Sequence, residues 1–335
     1  MPAPYIPTAF ATPVVNPFVG STGAYPIPYL SSAEYISAPT AMDTSHLLPT
    51  TDAAAQAQAL ADTIRRASAW ADNYCFGADA ASKGASLAAS LSVEAARFRI
   101  KGGELRLICD YKPILEVVGV DVGFAPNAVS SIGPSLASML IIGRRTITVP
   151  FGGGMVMRTN DTPGAVPTGY RGGSVYAVWS YVNGYAHTQL AADVAAAATS
   201  CVVTATDGNG GLFGVYPGTQ LTLPDGVNTE TVVVSAVTPG TTTTTIATSP
   251  FANAHTVPGS PGFLPVTTIP QDVTQAVISL TTMLIKTRGA RALVMPQTPG
   301  GKVDRQAFAQ AGALEDWDIA TGILSKYAIR TKSKV

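Results

Sequence analysis

The feature that most constrains this chain is where positive charge is missing. No Lys or Arg occurs in residues 1–64, which hold four acids (Glu34, Asp43, Asp52, Asp62), or in residues 172–285, which hold five (Asp193, Asp207, Asp225, Glu230, Asp272). The bases are confined to residues 65–171, twelve against eight acids, and to residues 286–335, nine against four. Blocks of minus four, plus four, minus five and plus five therefore cancel to a formal net charge of zero. Such alternation fits subunits that meet a neighbour's opposite patch, although pairing within one chain produces the same sum. Only 13% of the residues are charged, about half of the roughly 25% carried by soluble domains. A surface this poor in charge predicts cover by a partner, and neutrality argues against a dedicated nucleic-acid binder.

The first base is Arg65, so no basic segment precedes an apolar one, and no apolar run approaches the length of a membrane span. Neither a signal peptide nor a membrane association is expected. Cys75, Cys109 and Cys201 are too few and too scattered for a disulfide framework or a zinc site and are expected as reduced core residues.

Seven prolines and no helical period make residues 1–29 an extended docking arm. Its aromatics Tyr5, Phe10 and Phe18 are expected to lie on another surface, with a disordered tail as the alternative. Ser31 and Glu34 have capping-box spacing and predict a short helix over 33–37. Thr51 or Asp52 caps a long helix to about Tyr74, along which Ala53, Ala57, Leu60, Ile64, Ala67, Ala71 and Tyr74 form a stripe. Pro270 opens a helix to about Thr287 with the stripe Val273, Val277, Leu280 and Leu284, expected to pair with the first. A last helix over 314–329 has Glu315, Asp316 and Asp318 at its start and Lys326 and Arg330 at its end, which complements the helix dipole.

From residue 96 the apolar period is two. Phe98 and Ile100 against Leu105, Leu107 and Cys109, around Gly102-Gly103, read as a tight hairpin. Residues 114–122 and 146–149 read as further strands, with a loop over 126–134. Asn183-Gly184, between the apolar segments 175–182 and 185–190, is the strongest two-residue hairpin signal in the chain. Its aromatic, charge-free surface makes Val178, Trp179, Tyr181, Asn183, Gly184 and Tyr185 a candidate subunit contact. Strands at 202–206, 219–223, 229–237 and 241–248, with turns at Asp207-Gly208, Asp225-Gly226 and Pro239-Gly240, form a compositional island. The expected fold class is α+β. A helical-bundle core with β hairpins spans 30–191 and 263–330, a small all-β domain is inserted at 192–262, and a basic tail follows at 331–335.

Signatures of chemistry fail on spacing. Gly301-Lys302 is followed by Val303, which does not complete a phosphate-binding loop, and Gly208, Gly210 and Gly214 miss the dinucleotide spacing. His46, His187 and His255 lie far apart with no adjacent Cys or carboxylate motif and are expected as structural residues. No catalytic residue, metal ligand or cofactor is assigned, and the chain is not expected to be an enzyme. Arg97, Arg99, Lys101 and Arg106 lie on hairpin strands with Glu94 and Glu104 and are expected as a solvated or paired face. Arg330, Lys332 and Lys334 form a terminal cluster suited to an acidic or phosphate-bearing partner.

The run Tyr29-Leu-Ser-Ser-Ala-Glu-Tyr-Ile-Ser-Ala-Pro-Thr-Ala-Met-Asp43, with Leu60-Ala-Asp-Thr-Ile-Arg-Arg-Ala-Ser-Ala-Trp-Ala-Asp72, resembles the opening of head-tail connector (adaptor) proteins of tailed actinobacteriophages. The segment from Gln271-Asp-Val-Thr-Gln-Ala276 through Thr287-Arg-Gly-Ala290 resembles that family's later helix and turn. The island, with Pro217-Gly-Thr-Gln-Leu-Thr-Leu223 and Thr229-Glu-Thr-Val-Val-Val234, is similar to a small β module frequent in phage structural proteins.

The resemblance implies an α-helical core assembled as a ring, commonly dodecameric, beneath the portal protein. Such a ring extends the DNA channel and offers a surface to the next neck or tail-completion protein. The implied partners are the portal, through the Tyr5, Phe10 and Phe18 arm or the Arg330, Lys332 and Lys334 cluster, that next protein, further copies of the chain, and passing double-stranded DNA held non-specifically. Neutrality suits such a conduit, because a strongly basic lining would retain DNA. The implied location is the virion neck, after assembly in the host cytoplasm. The alternative is a tail or virion-surface protein whose β domain binds a receptor or glycan.

Overall fold

The computed structural model describes residues 27–45, 47–49, 51–77, 79–80, 84–101, 103–133, 137–150, 156–159, 162–165, 174–259, 262–287 and 312–329. Contacts divide the described chain into two units, residues 89–184 on one side and residues 27–88 with 185–329 on the other.

In the first unit, strands β1 (Ser90–Arg99), β2 (Glu104–Ile108), β3 (Ile114–Ala125), β4 (Ala128–Ser131), β5 (Ile141–Ile142), β6 (Thr146–Pro150), β7 (Val156–Thr159), β8 (Thr162–Ala165) and β9 (Ser174–Asn183) form separate antiparallel sheets. The order of the largest is β1-β9-β3-β4; a second runs β2-β6-β5, and β7 pairs with β8. Alternation along β9 buries Val175, Ala177, Trp179 and Tyr181, with Phe98 edge-on to Trp179 at 5.4 Å.

Two hairpins expected from sequence are corrected here. β1 and β2 share only the bridge Lys101↔Glu104 and then diverge into different sheets. Asn183-Gly184 joins no hairpin, because β9 pairs along its whole length with β1, from Ser90↔Asn183 to Arg99↔Ser174, and on its other side with β3. A strand buried between two long partners gains two ladders, whereas a local turn supplies one. The Asn183 amide donates instead to the Ser90 carbonyl (3.2 Å) and the Ser92 hydroxyl (2.7 Å), and the Gly184 N–H donates to the Pro113 carbonyl (3.0 Å). The loop expected over 126–134 contains β4.

The second unit holds β10 (His187–Gln189), β11 (Ser200–Thr204), β12 (Gln220–Leu223), β13 (Glu230–Pro239), β14 (Thr243–Thr248) and β15 (Pro265–Thr267) in one sheet ordered β10-β15-β12-β13-β14-β11. The four island strands are present, and the flanking β10 and β15 complete their sheet. Its two ends, β10 and β11, meet where Leu190 bridges Val203, which closes the sheet on itself. Leu190, Val203, Leu221, Val232, Ile246 and Leu264 fill the interior. Closure of this kind removes exposed sheet edges.

Helices α1 (Ser32–Ser37), α2 (Ala53–Phe76), α3 (Gln271–Lys286) and α4 (Leu314–Leu324) belong to the same unit. Ser31 and Asp52 cap the first two, each side chain accepting from a first-turn N–H. The inner α2 stripe is buried at Leu60, Ile64, Ala67 and Ala71, while Ala53 and Ala57 are exposed. α3 packs against α2 and α4. It is buried nearly all round, including Ser279, Thr281 and Thr282, because Tyr35 of α1 reaches it as well, its hydroxyl 3.1 Å from that of Thr282. Trp70 and Trp317 meet at 4.8 Å, and Lys286 pairs with Asp316 at 2.7 Å. The acids at the start of α4 thus bind a neighbouring helix as well as facing the dipole.

The expected helical-bundle core is overturned. The molecule is mostly β, and among the described residues four helices stand beside fifteen strands. The helical stripes are real, but strands such as β1 and β9 pair across long sequence separations, which a reading of local period does not sum.

Ser31 does two jobs, accepting from the Glu34 N–H (3.0 Å) and donating to the buried Pro224 carbonyl (2.7 Å). Ser31→Ala is expected to cost about 1–2 kcal/mol, read as a lower midpoint in urea unfolding. An unchanged midpoint contradicts this account.

Candidate assembly surface

The ionisable residues that the fold buries are committed to structure. His255 is fully buried, with Nδ1 2.9 Å from Asp225 and Nε2 2.7 Å from Glu230. With one carboxylate on each ring nitrogen, His255 bridges two acids of the base-free segment 172–285. Burial pushes the Glu230 carboxyl up, but the Ala252 and Asn253 N–H groups and His255 outweigh it and hold the carboxyl below its ordinary range. Sequence reasoning missed this triad because its members lie on different strands and loops.

Tyr29 forms a second cluster at the point where the Pro-rich arm enters. Its hydroxyl donates to Asp72 Oδ1 (2.6 Å), which also accepts from the Leu87 N–H (2.9 Å), and its own N–H donates to Ser68 (3.1 Å). The Tyr29 ring stands edge-on to His187, whose Nε2–H donates to the Ile27 carbonyl (3.1 Å). Burial pushes His187 down to about 4, so it is neutral at physiological pH. Burial also raises Asp72 to about 7, against the opposing pull of Tyr29 and Leu87. A carboxyl raised in the folded state binds protons that the unfolded chain has already lost. Its contribution to stability therefore falls as pH rises from about 4 to about 7. Asp72→Asn keeps the accepting oxygen and removes the charge. The variant is expected to be more stable than the native chain at pH 8, with the difference shrinking toward pH 5; urea midpoints at the two values check it.

In the first unit the Tyr181 hydroxyl donates to Glu94 and accepts from the Tyr111 N–H (3.1 Å), while Glu94 also accepts from the Asp110 N–H (2.9 Å). Burial first, and the Glu94 charge second, push the Tyr181 phenol far up. Among the described residues no cluster of three or more His, Cys, Asp or Glu is placed to hold a metal ion, and no helix is long and apolar enough to cross a membrane.

The candidate contacts named from sequence fall into two groups. Tyr5, Phe10, Phe18, Arg330, Lys332 and Lys334 lie outside the described residues, as does the 331–335 tail. Trp179, Tyr181, Asn183 and Gly184 are buried inside their own chain, and Val178 and Tyr185 are half-buried. β9 brings Val178 to Asn183 together, but as the middle of a sheet.

A different surface presents apolar side chains to solvent. In the sheet β2-β6-β5, Leu105, Leu107, Ile147 and Val149 face inward. The register aligns Arg106 with Thr148 and Thr148 with Ile141, and Ile108 with Thr146 in the next row. Cross-strand partners share a face, so Arg106, Ile108 and Ile141 lie on the outer one. Ile141 is 61% exposed and Ile108 39%. β5 is also an edge strand, with Ile142 and Met139 exposed beside it. The following turn places Arg144 in solvent, while Arg145 is anchored by Nε to the Cys109 carbonyl (2.9 Å). The signal in the sequence was Met139-Leu-Ile-Ile142 ahead of Gly143-Arg144-Arg145, an apolar run followed by two bases.

Comparisons with protein-family models, curated proteins and solved structures find no match to this chain.

Proposed function

We propose that this chain is a virion structural subunit that works by self-association: a head-to-tail adaptor of a tailed bacteriophage, forming a ring beneath the portal. The observation that carries the self-association is the outer face of the β2-β6-β5 sheet. An apolar, cationic face ending in an open edge strand is a surface that solvent disfavours and a protein partner satisfies. The charge division supports it, since residues 89–184 hold nine bases against six acids while the rest of the chain holds twelve against fifteen. The assignment to the neck rests on the resemblance. The segments that carry it fold as α1, α2 and α3, packed in one unit.

Mass photometry of the purified chain, alone and with portal protein, tests this reading. A closed ring is expected, together with the chain's presence at the neck of purified particles. A monomer at every concentration with portal present, and particles without the chain, overturn it.

A further inference from the structure

We infer that the partner of the β2-β6-β5 face is the α1 corner of a second copy of this chain, a head-to-tail contact between unlike surfaces. This rests on the self-association proposed above and names its second half.

The α1 corner is the counterpart of that face in exposed apolar side chains and in sign. The 3-10 turn Gly226–Asn228 leaves Val227 94% exposed, an extreme value for a valine. Ile36 on α1, the element packed against this turn, is 61% exposed, and Met42 lies just beyond. The projection is braced. Glu34 Oε2 accepts from the Gly226 N–H (3.0 Å) and the Thr229 hydroxyl (2.8 Å), and Ser31 donates to Pro224. Gly226 sits at φ +59, a backbone conformation that strains a side chain, and a Cβ there would stand 3.2 Å from the Ala33 carbonyl and crowd the helix. A valine held in solvent on a rigid support resembles an anchor side chain that already has its bound conformation and loses little entropy on contact.

Charge selects the occupant. The ionisable side chains nearest Ile36 and Val227 along the chain are Glu34, Asp43, Asp225 and Glu230, with His255 buried between the last two, and no Lys or Arg occurs in residues 1–64 or 172–285. Around Ile141 and Ile108 stand Arg106, Arg144 and Arg145 against Glu104 and Asp110, an excess of one base. An apolar patch with a cationic border meets an apolar knob with an anionic one. The simplest rival, two β5 edges paired across a two-fold axis, would set each Arg144 near its own copy, which like charge disfavours. Unlike surfaces on every copy propagate around an axis, as a ring requires.

The test uses the full chain with Ile141→Asp and with Val227→Asp, both at exposed positions, with far-UV circular dichroism confirming the native fold. Each variant alone is expected to raise the concentration for half-assembly by roughly tenfold or more, leaving monomer where the native chain assembles. Mixed in equal amounts they are expected to form a one-to-one dimer and nothing larger. The intact knob of Ile141→Asp enters the intact face of Val227→Asp, and the remaining ends are both blocked. Normal assembly by Val227→Asp, or a mixture that stays monomeric while the native chain assembles, overturns this inference and leaves the proposed function standing. A native chain that never assembles overturns both.

Discussion

Replacing His255 by alanine is expected to cost about 3–5 kcal/mol, because it strands two carboxylates in the second unit. The Asp225 side chain is 20% exposed and that of Glu230 11%, too little for water to replace the ring's two contacts fully. A charge-free version isolates the cause. With Asp225→Asn and Glu230→Gln added, Glu230's accepting role toward Ala252 and Asn253 is partly kept and no like charges remain. Most of the loss is expected to return, measured as urea midpoints of the single and triple variants. A triple variant no better than His255→Ala would show that packing of the ring, here against Phe251 at 5.8 Å, is what matters. Acid attacks the same cluster from the other side. Since the folded state holds the Glu230 carboxyl low, its contribution is present above the ordinary carboxylate range and is lost as pH falls through the depressed value.

Trp179→Ala is expected to cost a similar amount, about 3–5 kcal/mol, by opening a cavity in the middle of the β1-β9-β3-β4 sheet. Trp179 is 2% exposed and central to β9, so neither Phe98 nor the neighbouring strands can close over the space without breaking register. Hydrogen exchange locates the damage. Amides of β1, β3 and β9 are expected to lose protection in Trp179→Ala, whereas His255→Ala exposes those of β12, β13 and β14. Fluorescence gives a second reading, since the other two tryptophans, Trp70 and Trp317, meet edge-on in the second unit. Equal loss of protection in both sheets for either variant would contradict the division into two units.

The candidate site was far less legible than the elements. Val178, Trp179 and Tyr181 attracted notice as charge-free aromatics, yet such residues serve a core and a contact equally well, and only pairing on both sides of β9 shows which. Ile141, Ile142 and Val227 drew no notice, since a short apolar run or a single valine reads as ordinary core until its exposure is known. The His255 triad was invisible for a related reason: Asp225, Glu230 and His255 fit no motif spacing, and the fold alone brings them together.

Sequence by itself determined what depends on near neighbours. The cap at Ser31, a second cap narrowed to Thr51 or Asp52, the extents of α2 and α3 to within a few residues, and the four island strands with their Asp-Gly and Pro-Gly turns all follow from hydrogen bonds and side-chain periods within a turn or two of chain. Tertiary structure decided which strands pair and therefore which face is covered. β9 abandons its Asn-Gly turn for β1 and β3, β2 leaves β1 for β6, and β10 and β15 join a module that composition had closed without them. The physical reason is that a strand's ladder bonds are satisfied equally well by any partner of matching length. The choice among partners is therefore made by burial summed over the whole molecule.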